Sequence, residues 1–162
     1  MSALHPSYGR VRTVAGHDMP DLLRVDQEAF PDDPMPYSVL RQFVDIFTDH
    51  VLVVEDGDGR LCAYLVATPP HRGDSWIFSL GVTPATRRHG LARELMQAAL
   101  ENLRAEGADT VLLYVEPNNK PATALYESLG FVPDPQGARP DHFGPGADRI
   151  LMSLPLASPT AS

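Results

Sequence analysis

Two apolar runs, SWIFSLGV (residues 75–82) and TVLLYVE (110–116), enclose a stretch whose leucines recur at helical spacing. Leu91, Leu95, Met96, Ala99, Leu100 and Leu103 fall on one face of a helix predicted from Gly90 to Glu106. Gly107 stands just past its end, where a left-handed residue commonly closes a helix. Strand, helix, strand in this order is a crossover connection, so the two strands run parallel. TVLLYVE is apolar enough on both faces to sit in the middle of a sheet.

The remaining segments arrange themselves around that unit. Arg10 to Val14 reads as a short strand. Asp18 is the predicted N-cap of a first helix, with Pro20 in its first turn and Leu22, Leu23, Val25, Ala29 and Phe30 on its apolar face. PDDPMPYS breaks that helix, and Ser38 is expected to cap a second one carrying Val39, Leu40, Phe43, Val44 and Phe47. VLVVE and LCAYLVA flank DGDG, a hairpin signature. PNNKPATALYESLG gives a turn and a short helix, with Pro121 near its start and Gly130 past its end. Phe131 opens another strand, VPDPQGARPDHFGPGAD is a long loop, and RILMSL is the last strand. The order β-α-α-β-β-β-α-β-α-β-β is α+β with a mixed sheet. It is expected to form one domain over residues 10–155, with flexible termini at 1–9 and 156–162.

A formal net charge of −8 argues against coating nucleic acid, which needs many phosphate-neutralising cations. One cysteine, Cys62, has no partner for an internal disulfide, which fits a reducing compartment. Within LCAYLVA it reads as a buried structural thiol. No apolar stretch reaches the ~20 residues of a membrane span, and MSALHPSYGR lacks the apolar middle of a signal peptide. A cytoplasmic protein with no nucleic-acid or membrane partner is expected.

Against this acidic background, TPATRRHGLARELM (83–96) places Arg87, Arg88 and His89 immediately before a helix start. A helix amino end is already partially positive, so each cation there costs roughly 0.3–1 kcal/mol unless an anion joins it. A strand, a turn at Gly90 and a helix start together form a cradle of outward-pointing N–H groups suited to phosphate. The segment is not a Walker loop, because the G-K-[ST] ending is absent, and it has only one of the three dinucleotide-fingerprint glycines. Arginines crowding an exposed turn would produce the same letters.

Arg87-Arg88-His89-Gly90-Leu91-Ala92, preceded by Val82-Thr83-Pro84, resembles the R/Q-x-x-G-x-G/A pyrophosphate loop of the GNAT family of N-acetyltransferases. Asn119 through Tyr126, then Gly130-Phe131, resembles the same family's N-x-x-A-x-x-L-Y-x-x-x-G-F. The spacing of the two blocks agrees as well. The resemblance implies the GNAT fold: a mixed central sheet of about six to seven strands with about four flanking helices and two splayed central parallel strands. It implies acetyl-CoA as cosubstrate. The backbone of Arg88, His89, Gly90, Leu91 and Ala92 would hold its pyrophosphate, Arg87 and Arg88 would add charge, and pantetheine would pair with Leu80, Gly81 and Val82. Asn119 would contact the pantetheine arm or order the site, although it also suits a helix cap. Tyr126 would protonate the departing thiolate, although core packing beside Leu125 and Leu129 is the simpler role for that side chain. No metal is expected.

The attacking amine must be neutral. For a lysine-like amine at pH 7 deprotonation costs roughly 4–5 kcal/mol, for an α-amine only about 1 kcal/mol. Glu116, Asp74 and His142 are candidates for the base, and each also reads as an exposed strand end or loop residue. In the resemblance, acceptor choice lies with FPDDPMPYS and RPDHFGPGAD, which supply Phe30, Asp33, His142 and Phe143. F-P-x-x-P-x-x-Y-S is similar to the same region of the ribosomal-protein alanine branch, which acetylates protein N-termini. His142-Phe143 replaces the tyrosine pair frequent there. Asp32, Asp33 and Asp141 would give an acidic mouth suited to a cationic amine, or a solvated loop. Acetyl transfer to a primary amine, of a small molecule or a peptide, is the expected activity, from a monomer or homodimer. A non-catalytic acyl-CoA sensor, or transfer of another acyl group, remains open.

Overall fold

A computed structural model describes residues 7–157. Of the termini expected to be flexible, 1–9 and 156–162, residues 1–6 and 158–162 lie outside the described ones. Within them, the Gly9 N–H donates to Glu55 O at 2.9 Å and the Leu156 N–H to Asp109 O at 2.8 Å.

The elements follow the expected order. They are β1 (Arg12–Thr13), α1 (Met19–Ala29), α2 (Tyr37–Ile46), β2 (Val51–Glu55), β3 (Leu61–Ala67), β4 (Asp74–Val82), α3 (Leu91–Ala105), β5 (Thr110–Val115), α4 (Lys120–Ser128), β6 (Val132–Pro133) and β7 (Ile150–Pro155). The strand order is β1-β2-β3-β4-β5-β7-β6, a seven-stranded mixed sheet. β4 and β5 are parallel and pair over Asp74↔Thr110, Ser75↔Val111 and Trp76↔Leu112, while β4 continues to Val82 and β5 to Val115. The parallel direction is the one expected of the crossover, and the splay is the one the resemblance implies. β5 lies between two neighbours, as its apolar run predicts.

The chain forms two compact units, residues 1–68 with 79–101, and residues 69–78 with 102–162. In the first, α1 and α2 cover β1 to β3. Leu22, Val25, Leu40, Val51, Val53, Tyr64 and Val66 are its fully buried centre. Each such aliphatic side chain contributes roughly 1.5–3 kcal/mol of transfer free energy. β3 is buried along its whole length, which explains the uninterrupted apolar run LCAYLVA. The DGDG turn closes through Asp56, whose Oδ1 accepts from Asp58 N (2.9 Å) and Arg60 N (3.1 Å). A bulge at Val54/Glu55 lets Leu61 pair with Glu55. Asp21 and Arg24 of α1 bind that same Leu61, at its N–H (2.6 Å) and carbonyl (2.6 Å). In the second unit, β7 inserts between β5 and β6, antiparallel to both.

Two expected helix caps are placed differently. Asp18 precedes α1, but its carboxylate does not cap it. It turns back to accept from Ala15 N (2.7 Å) and to take a bidentate pair from Arg12 at 2.8 and 2.9 Å. A guanidinium fork satisfies both carboxylate oxygens and outweighs one helix amide. Ser38 lies inside α2, which starts one residue earlier with Pro36 at the N-cap and no side-chain cap. Pro36 fixes the entry angle instead, and its carbonyl takes the N–H groups of Val39 (3.0 Å) and Leu40 (3.1 Å).

Arg12, which also binds Glu55 at 2.7 Å, holds the Asp18 carboxyl below its ordinary value against the opposing effect of burial. A carboxyl depressed in the folded state stabilises above its unfolded pKa, and that contribution is lost as pH falls through the folded pKa. Asp18→Asn should therefore cost roughly 1.5–3 kcal/mol near neutral pH. Measured by urea unfolding, the gap between wild type and variant should close below about pH 4. A gap independent of pH would contradict the pairing.

Candidate functional site

In the first unit, the end of β4 leads into the basic loop. Gly81 is buried, and the chain passes so close to its neighbours there that an added Cβ would lie 2.6 Å from Tyr64 Cε1 and 3.2 Å from Ala29 Cβ. Only glycine fits, and the chain at Gly81 lies close against the Tyr64 ring. Thr83 follows, buried, with its N–H on Cys62 O at 2.9 Å and its hydroxyl 2.7 Å from that of Thr86. A 3₁₀ turn over Pro84–Thr86 brings the chain to Arg87.

From Arg87 onward the loop is exposed up to the buried Leu91. Arg88 is left-handed at φ 69°, and Gly90 at φ 78°. Left-handed residues are rare away from glycine. Two of them within three positions turn the chain sharply here, and left-handed residues in such turns are the building material of anion nests. α3 then begins at Leu91, and Glu94 N–H closes on Gly90 O at 3.0 Å. The amides ahead of it belong to the helix's first turn, whose N–H groups have no carbonyl one turn back. A Cβ at Gly90 would meet nothing within 4 Å, so its glycine answers to backbone conformation and not to crowding.

The Arg87 guanidinium lies along the loop's inner edge, donating to Val82 O (3.2 Å) and Ala29 O (3.4 Å). It joins the end of α1 to the end of β4. His89 packs against Tyr8, with ring centroids 5.5 Å apart. Phe30 and Asp33, in the segment leaving α1, are exposed, and Asp33 N–H closes a turn on Phe30 O at 3.2 Å. Cys62 is buried, and burial pushes its thiol up to about 11, so it is a neutral packing group as expected.

In the second unit an aromatic cluster gathers at the end of β5. Tyr114 stacks on Trp76 of β4 (5.2 Å), and His142 (4.9 Å) and Phe143 (5.3 Å) from the loop before β7 pack against it. Arg139 stands over the Tyr114 ring at 5.9 Å and Arg149 over Phe143 at 4.7 Å. Arg149, only 14% exposed, also lies 3.4 Å from Glu116, which is 62% exposed. Glu116 is thus an accessible carboxylate held beside a cation. Asp141 closes its own loop, taking Gly146 N–H at 2.7 Å, and Asp74 is exposed at the start of β4.

Asn119 caps α4, its Oδ1 accepting from Ala122 N at 3.2 Å. Tyr126 is 8% exposed and packs beside Phe131 at 5.9 Å. Burial raises its phenol to about 12, so it carries its proton throughout the neutral range.

The structure therefore gathers Leu80–Val82 and Arg87–Ala92 in one unit with Phe30 and Asp33. It gathers Glu116, His142 and Phe143 in the other, which also holds Asn119 and Tyr126. Trp76, Tyr114, Arg139 and Arg149 are cluster members the sequence reading did not single out. Trp76 and Tyr114 each sat in an apolar strand run, where an aromatic reads as core. Among the described residues no group of three or more metal-ligating side chains occurs, and no helix is long and apolar enough to cross a membrane.

Comparison with known proteins adds to this geometry. The family model described as Acetyltransferase (GNAT) family matches residues 17–131. The mycothiol acetyltransferase of Beutenbergia cavernae is 48% identical over 82 residues, covering 51% of this chain and 28% of that one. That of Thermomonospora curvata is 36% identical over 124 residues, covering 72% and 41%. The chain thus spans less than half the length of either relative. The fold matches the ribosomal-protein-S18-alanine N-acetyltransferase of Escherichia coli with a TM-score of 0.79 at 23% identity, covering 96% of this chain and 99% of that chain.

If the nest is an anion site, reversing its charge should be felt directly. Arg87→Glu combined with Arg88→Glu should weaken coenzyme A binding about tenfold or more, on the order of 1.4 kcal/mol. Unchanged affinity by calorimetry would refute the site.

Proposed function

We infer, because the chain belongs to the acetyltransferase (GNAT) family, that it moves an acetyl group from acetyl-CoA, the family's donor, to a primary amine. The observation that carries this reading is the left-handed turn through Arg88 and Gly90 at the start of α3. Its bare amides suit a diphosphate, and such a contact fixes the coenzyme without any covalent link. Pantetheine then runs along Leu80–Val82, whose backbone is held in place where Gly81 lies against Tyr64 and Ala29.

The reaction proceeds by direct attack within a ternary complex. The neutral amine nitrogen adds to the thioester carbonyl, the C–S bond breaks, and coenzyme A leaves. The amine's proton must depart and the sulfur must be met by a donor. Glu116, accessible beside Arg149, is the candidate that accepts the proton, directly or through a water. Tyr126 is the candidate that meets the sulfur. A phenol at about 12 is a much weaker acid than a thiol near 8.5, so full proton transfer to the thiolate is uphill by roughly 4–5 kcal/mol. Tyr126 acts on this reading as a hydrogen-bond donor that stabilises developing negative charge while keeping its proton. Asn119 supports this arrangement by fixing the start of α4.

Phe30 and Asp33 are proposed acceptor contacts, as are His142 and Phe143. The relatives' names point to the acceptor of mycothiol acetyltransferases, and the fold's to peptide amino termini, as the two classes to test first. A lone buried thiol suits a reducing compartment, and we place the chain in the cytoplasm.

A thiol-release screen with acetyl-CoA against amino acids, polyamines, aminoglycosides, amino-sugar conjugates and short peptides tests the activity. Acceptor-dependent release with formation of the N-acetyl product is expected. Tight coenzyme binding with no release on any amine would make the chain a sensor. With an acceptor in hand, Tyr126→Phe should lower kcat about tenfold or more and leave coenzyme affinity nearly unchanged. Because its proton is held to about 12, any fall in rate below pH 10 should persist in the variant. Wild-type turnover in Tyr126→Phe would show that a water meets the sulfur instead.

A further inference from the structure

Asp26 is 1% exposed, in the core face of α1. Nothing in the proposed chemistry uses it. A buried carboxylate is retained only when its oxygens are satisfied, and the partners here are specific. Oδ2 accepts the backbone N–H of Met35 at 2.6 Å, nine residues on, at the far end of the segment that carries Phe30 and Asp33. Oδ1 accepts the hydroxyl of Tyr64 at 2.5 Å. Because Tyr64 spends its one proton on Asp26, the Ser79 hydroxyl at 2.9 Å must donate to Tyr64. The chain of donors runs Ser79 to Tyr64 to Asp26. The Tyr64 ring is the surface against which Gly81 rests, 2.6 Å from where a Cβ would stand. Ala29, one turn after Asp26, is the other wall at Gly81, and its carbonyl takes Arg87.

We propose that Asp26 is a positioning residue that sets two things from one carboxylate: the path of the segment between α1 and α2, and, through Tyr64, the height of the β4 backbone at Gly81. This deepens the acetyltransferase reading, since Leu80–Val82 is the stretch proposed there to pair with pantetheine. One buried anion thereby holds the donor's strand and the acceptor's segment in a common frame. A core packing role alone would ask for a leucine at this position. The cost of burying a charge is offset only if its fixed, directional hydrogen bonds are needed.

The chemistry of the site separates this role from mere stability. Asp26→Ala removes both bonds. Asp26→Asn keeps them with one reversal: its oxygen takes Met35 N–H, its amide donates to Tyr64, and Tyr64 turns its proton to Ser79. Coenzyme A binding by calorimetry, and hydrogen exchange at the amides of Asp32, Asp33 and Met35, are measured on wild type and both variants, each shown folded by circular dichroism. Asp26→Ala should bind coenzyme A about fivefold or more weakly and lose protection at Met35, while Asp26→Asn recovers most of both. Should Asp26→Ala fail to fold, Tyr64→Phe, which keeps the ring but frees one carboxylate oxygen, should still weaken binding about threefold. Folded Asp26→Ala, or in its place Tyr64→Phe, with wild-type affinity and protection would overturn the proposal. Wild type failing to bind coenzyme A would instead overturn the acetyltransferase reading itself.

Discussion

Backbone amides at the start of a helix want an acceptor, and in the first turn of α3 Glu94 is the one acid. The loop before α3 places Arg87, Arg88 and His89 at the positive end of the helix dipole, in a chain whose net charge is −8. Local repulsion of that kind is tolerated when a ligand anion completes it. The backbone is committed to the same end. Arg88 occupies left-handed space at φ 69°, a conformation that costs a non-glycine residue roughly 1–2 kcal/mol. The buried Leu91 fastens the helix start to the core. Charge, backbone and anchoring all support the diphosphate proposed for this turn.

The loop can hold that shape because its approach is rigid. Gly81 rests on Tyr64 and Ala29, Thr83 is tied to Cys62 and Thr86, and Arg87 reaches both Val82 and Ala29. Within the first unit, α1, β3 and the end of β4 from Ser79 to Val82 are thereby tied to the loop before α3. The second unit offers different material: flat rings, two guanidinium groups and an exposed carboxylate at the ends of β5 and β7. Rings of this kind give a substrate contact area at small entropic cost. Arg149, nearly enclosed, keeps Glu116 anchored while leaving it open to solvent.

Much of this was legible in the sequence, because the signals were local. The element order, the DGDG hairpin, the parallel crossover and the glycine turn all follow from periodicity and turn chemistry within a few residues. Asn119 as a helix cap was open to inspection for the same reason. What could not be read depends on partners far along the chain. Asp18 abandons its cap because Arg12 arrives with a better hydrogen-bonding fork, and Ser38 yields to Pro36. The insertion of β7 between β5 and β6 is a matter of sheet pairing, which alternation alone does not fix. Asp26 did leave a trace: with Leu22, Val25 and Ala29 it falls on the buried arc of α1, an acid where the period calls for an aliphatic. Tyr114 and Trp76 left none, since an aromatic in a strand reads as core until its neighbours are known.

The claim on which the account stands is that main-chain N–H groups from Arg88 to Ala92 grasp the coenzyme's diphosphate. Amide shifts of ¹⁵N-labelled protein, followed while coenzyme A is added to saturation, examine it residue by residue. The account predicts that the amides of Arg88–Ala92 shift most, and that pantetheine lacking the nucleotide leaves them in place. Saturable binding that leaves those amides unmoved would contradict it.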